Sequence, residues 1–176
     1  MKRLRLTDDQ LIVALGTSCA MLMSSATLNW ASSIDYDAPI LTFSERLQFV
    51  LRADLMVTLW LVAAIGNLAR LRFFSQWDFG GAAGDGDSKH KVRANAVLQD
   101  TLEQVVPAVT AHLVLAATLN RIEMVVRGLI GLFVIGRLLF MLGYRHSATA
   151  RFFGFVLTFY PSALTLLVCG LAMVFG

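Results

Sequence analysis

Two stretches of this chain are too long and too apolar for anything but a membrane. Leu11 to Trp30 and Phe152 to Gly176 each run without a charged residue. About 20 predominantly apolar residues suffice for a helix to cross the hydrocarbon core. Leu55 to Ala69 is a third uncharged block. The composition agrees. The chain is 57% hydrophobic and 15% charged, with mean hydropathy +0.67, against about 45–50% and 25% in a soluble domain. In hydrocarbon the backbone N–H and C=O groups must be satisfied within the segment, so such blocks are helices. The chain reads as an all-α, multi-pass integral membrane protein whose length is consumed by spans and short connections.

Five spans are expected, at about 11–30, 47–69, 93–119, 124–144 and 152–176. The first could be mistaken for a signal peptide, since the start MKRLRLTDD is basic and Ser24-Ser25-Ala26 could pass for a cleavage site. Asp8 and Asp9 ahead of the apolar run, and the length of that run, argue for a retained span. Residues 31–46 form a polar connector. Arg52 and Asp54 lie two apart, on different helix faces, and are expected to snorkel or to pair with other helices. In the loop 75–91, GGAAGDGDS has flexible-linker composition. No GK[ST] follows it, so it is not a phosphate loop.

Lys and Arg divide unevenly along this order. Lys2, Arg3, Arg5, Arg70, Arg72, Lys89, Lys91, Arg93, Arg145 and Arg151 fall on one side of the membrane, against Arg46, Arg52, Arg121 and Arg127 on the other. The excess marks the first side as cytoplasmic, with the N-terminus inside. The same rule accounts for the net charge of +3 and pI near 9.2, so no nucleic-acid partner is implied. Cys19 and Cys169 sit in separate apolar blocks without a CxxC neighbour or a His at ligand spacing. Neither a disulfide nor a metal site is expected.

The third span is the unusual one. RANAVLQDTLEQVVP, Arg93 to Pro107, carries Asp100, Glu103 and Gln104 into the membrane. A carboxylate at the bilayer centre costs about 2.5–3.5 kcal/mol on insertion scales, so an acid kept there marks a functional site or a paired structural charge. Gln99 and Glu103 share a helix face. Pro107 cannot donate to the Glu103 carbonyl, so a kink is expected there. His112, deeper in the same span, reads as a neutral hydrogen-bonding group rather than a ligand. In the fourth span Arg137 and Tyr144 lie seven apart and share a face. Arg70, Arg72, Arg93, Glu103, Arg137, Tyr144 and Arg151 all fall toward the cytoplasmic end. Arg151 lies in the first turns of its helix, where the dipole disfavours a cation unless an anion lies between. Ordinary contact of these cations with lipid phosphates is the plainer alternative.

Three segments resemble the MAPEG family, the membrane-associated proteins in eicosanoid and glutathione metabolism. RLLFMLGYRHSATAR, Arg137 to Arg151, is similar to the family pattern of an arginine, a GY pair and a second arginine. LQDTLEQ, Leu98 to Gln104, resembles the bacterial-type NTLEQ segment, and ARLR, Ala69 to Arg72, ends a span before the cytosolic loop. The resemblance covers about 47–176 as four spans. It implies a four-helix membrane domain there, with 1–46 as an extra N-terminal span and connector.

What the resemblance further implies is a homotrimer binding glutathione between subunits at the cytosolic side. Glu103 would take the amine, with Arg70, Arg137 and Tyr144 lining the peptide. Arg151, with Tyr144, would face the sulfur as the catalytic pair. Gln99 and Asp100 belong to the same expected set. Arg93 would substitute, from one turn away, for an arginine often found where this chain has Ala96. Asp100 stands where Asn is usual, Phe140 where Tyr or His is common, and Pro107 follows Glu103 by four residues rather than three. The implied function is a membrane-embedded glutathione-dependent transferase or peroxidase acting on lipophilic electrophiles, with the bacterial inner membrane favoured over the endoplasmic reticulum. A non-catalytic relative that binds a lipid or anion, or scaffolds a complex, stays open. A transporter is disfavoured by the absence of an internal repeat.

Overall fold

The structure, a computed structural model, describes residues 8–74, 89–146 and 148–175; for residues 8–9, 144–146 and 148–150 it describes backbone alone. Lys2, Arg3, Arg5, the GGAAGDGDS loop and the side chains of Tyr144 and Arg145 therefore lie outside the described residues. Five helices follow in order: α1 (Asp8–Asp35), α2 (Phe43–Phe73), α3 (Lys89–Thr118), α4 (Glu123–His146) and α5 (Ala148–Phe175). The shortest, α4, has 24 residues, about 36 Å at 1.5 Å per residue, which exceeds a hydrocarbon core of about 30 Å.

Among the described residues, four helices are long and apolar enough to cross a membrane: α1, α2, α4 and α5. The helix at the expected third span, α3, falls short in apolarity rather than in length, with 30 residues. Its packing nonetheless carries it through the same thickness. Near the middle, Val105 and Ala108 of α3 meet Val57 of α2 and Phe133 of α4. Farther along, Leu115 and Ala116 join Ala31, Val50, Val126 and Cys169, so that all five helices share one cluster. Pro107 sits inside an uninterrupted α3, so the helix absorbs the lost hydrogen bond without breaking.

Helix ends are fixed by polar groups the sequence places there. Thr42 caps α2, bonding Glu45 in a reciprocal capping box. The Asp35 carboxylate, at the end of α1, accepts from the backbone N–H of Met124 (3.0 Å) and Val125 (2.9 Å). An α1 side chain thus caps α4 and favours its positive dipole end. α1 lies against α4 and α5 through small residues: Ala20, Ser24 and Ala31 are fully or nearly buried. In a membrane, small residues let helices approach closely enough for dispersion to hold them. The tightest approach is between α4 and α5, where a Cβ on Gly154 would stand 2.4 Å from the Phe140 nitrogen. Glycine is required there.

α2 and α3 are joined by a buried polar pair. Asp54 Oδ1 lies 2.5 Å from His112 Nδ1, and both side chains are almost fully buried. The two residues read separately from sequence, an acid pairing with another helix and a hydrogen-bonding histidine, are each other's partners. Arg52 is exposed.

Candidate functional site

Basic side chains collect where α2 ends and α3 begins. The last turn of α2 supplies Arg70 and Arg72; the first turns of α3 supply His90 and Arg93. Between α2, α3 and α4 a groove of about 560 Å³ is lined by Asn67, Arg70, His90 and Arg93 on its polar side. Leu71, Val97, Leu138, Met141 and Leu142 form its apolar side. Arg70 Nη2 lies 3.4 Å from Asn67 Oδ1, a loose contact that leaves the guanidinium at the surface. A guanidinium at the surface suits a carboxylate or phosphate bidentately.

Farther along α3, Gln99 Nε2 donates to Glu103 Oε1 at 2.8 Å, and both residues are exposed. Asn95 and Ala96 are exposed on the same side, and Asp100 is half-buried beside them. This polar run is framed by exposed Val92, Leu102 and Val106.

The opposite side of α3 is also polar, and it faces inward. Thr101 and Gln104 are 1% exposed. Arg137 is completely buried; its Nη2 donates to Thr101 Oγ1, and its guanidinium carbon lies 4.3 Å from the centre of the Phe140 ring. The Thr158 hydroxyl of α5 reaches Gln104 Oε1 at 3.0 Å. Phe140, at the position where the resemblance has Tyr or His, serves here as an aromatic face for a cation.

The structure thus brings Arg70 and Arg93 into one groove and puts Gln99 beside Glu103. Arg137 does not join them within one chain, because the body of α3 stands between it and Glu103. Arg151 is exposed in the first turn of α5. Asn67, His90, Thr101 and Thr158 were not singled out as site residues from sequence. Thr101 could have been, since Val97, Thr101, Gln104 and Ala108 repeat at helical spacing and are all buried. Among the described residues no cluster of His, Cys, Asp and Glu could hold a metal ion.

The model of the MAPEG family matches residues 50–171, most of α2 and all of α3 and α4 with nearly all of α5, and leaves α1 outside. No curated protein matches the chain, and no solved structure does. An all-helical membrane bundle is the fold the resemblance implied, and the family is the one its three segments pointed to. The chain belongs to the MAPEG family.

Proposed function

We propose that this chain is a glutathione-dependent transferase or peroxidase acting on lipophilic electrophiles, assembled as a homotrimer in a bacterial inner membrane with its basic end in the cytoplasm. Family membership supports a membrane function related to glutathione. The observation that carries the finer reading is the outward polar face of α3 beside the basic groove. A carboxylate facing acyl chains costs about 2.5–3.5 kcal/mol near the bilayer centre, and Glu103 is exposed, with Gln99 of its own helix as its only hydrogen-bond partner among the described residues. A neighbouring protomer and a bound zwitterionic peptide would relieve that cost together.

The residues present fit such a guest. Arg70 and Arg93 suit its two carboxylates, and Glu103 with Gln99 suits its ammonium. Glutathione supplies a thiol, whose ionised form is the nucleophile. In this reading Arg151, in the first turn of α5, stabilises a negative charge on sulfur, and the Tyr144 hydroxyl donates to it. The apolar wall of Leu138, Met141 and Leu142 gives a lipophilic partner its approach. Arg137 stabilises the fold from within, holding Thr101 on the face of α3 opposite Glu103.

The test is ultraviolet thiolate absorbance of the detergent-solubilised protein with glutathione. The native chain forms thiolate at neutral pH, and Arg151→Ala does not. Absence of thiolate in the native chain, with no turnover of a broad electrophile panel, would reject the reading. The enclosure of Arg137 within its own protomer favours a second one, a non-catalytic relative that holds an anionic lipid head group in the Arg70–Arg93 groove. Co-purified phospholipid that Arg70→Ala releases, together with inactivity, supports that alternative.

A further inference from the structure

α1 lies outside the matched family region, and it builds a cavity at the end of the bundle opposite the basic groove. A cleft of about 260 Å³ runs between α1, α3 and α5, lined by Leu28, Leu115, Leu164 and Val168 with Ser25 and Asn29 at its edge. Above it a groove of about 490 Å³ is lined by Tyr36, Asn120 and Arg121. Ser32, Leu119 and Val125 line both, so the two adjoin. Together they grade from apolar below to cationic at the rim.

The rim carries an arginine whose hydrogen bonding is incomplete. Arg121 Nη1 donates to the Tyr36 carbonyl, but its Nε is buried with no hydrogen-bond partner among the described residues. Among the described residues, the one carboxylate lining the groove, Asp35, has both oxygens committed to the N-terminus of α4. Trp30 and Tyr36 are 59% and 75% exposed at this level, as aromatic residues are at a membrane–water boundary. A site that straddles that boundary, apolar on its membrane side and carrying an arginine on its water side, matches an amphiphile whose head is an anion.

We propose that α1, α3, α4 and α5 form a binding site for one phospholipid of the leaflet opposite the basic end. An acyl chain fills the Leu28–Leu164 cleft and the phosphodiester meets Arg121. The site is independent of the glutathione reading. Along α3, Leu115 of the cleft stands 18 residues from Val97 of the basic groove, about 27 Å at 1.5 Å per residue. The site's occupant joins α1 to the family bundle where Asp35 already does so.

The test is native mass spectrometry of the delipidated full chain in mild detergent, titrated with dioleoyl phosphatidylglycerol and, separately, with inorganic phosphate. The expected result is one saturable lipid per chain. Binding weakens at least fivefold in Arg121→Gln and in Leu164→Trp, which fills the cleft without touching the head-group end. It is unchanged in Arg70→Ala. Native-like melting of each variant is checked alongside. Lipid binding that survives both variants, or that Arg70→Ala abolishes, overturns the proposal. So does phosphate binding as tight as the lipid's, because the acyl chain would then contribute nothing.

Discussion

The two faces of α3 carry similar residues and are treated in opposite ways. Inward, Thr101 meets Arg137, Gln104 meets Thr158, and His112 meets Asp54, each partner on a different helix of the same chain. Outward, Gln99 and Glu103 meet each other, on their own helix. Polar groups of the first kind are bonded across helices within the protomer and serve its packing, although Asp54 Oδ2 and Gln104 Nε2 stay buried without a hydrogen-bond partner among the described residues. Those of the second kind are open to a partner from outside. A buried polar residue in a membrane helix is therefore not a site by virtue of its polarity; what separates the two cases is whether the bundle already answers it.

The sharpest way to break the comparison is Asp54→Ala. Removing one member of a buried pair leaves His112 unanswered, and a loss of about 3–5 kcal/mol is expected, read as a collapse of the melting temperature in detergent. Next comes Thr158→Val, which strips the Gln104 carbonyl of its side-chain donor. It should lower stability by about 1–3 kcal/mol and leave glutathione affinity unchanged in calorimetry. Thr42→Ala removes the cap of α2 far from either face, and about 1 kcal/mol is expected, measured in the same melt. Smallest of all is Glu103→Gln, within about 0.5 kcal/mol for the protomer's own folding. If Glu103→Gln instead unfolds the protein as Asp54→Ala does, the outward face is structural and the comparison fails.

The division between faces explains what could be read in advance. The apolar blocks of α1, α2, α4 and α5 declared themselves, because a stretch free of charge over a bilayer's width has few other fates. The arginine, the GY pair and the second arginine of residues 137–151, with LQDTLEQ, were enough to name the family. The partner of each polar side chain was hidden. In a soluble helix water marks the outer face. In a membrane both lipid and bundle interior are apolar, so spacing shows which residues share a face but not where that face points. Gln99 and Glu103 were correctly paired on one side of α3, yet nothing in the sequence placed Arg137 on the other. The capping of α4 by Asp35, from a helix beyond the family region, was equally invisible, since it depends on a contact across 89 residues of chain.

The central claim, that the outward face of α3 receives an external guest while the inward face does not, rests most directly on one measurement. It is calorimetric titration of glutathione into the detergent-solubilised chain and its Glu103→Gln and Thr158→Val variants. Saturable binding in the native chain and in Thr158→Val, weakened at least tenfold in Glu103→Gln, is the predicted result. Equal affinity in all three, or no binding to the native chain, would contradict it.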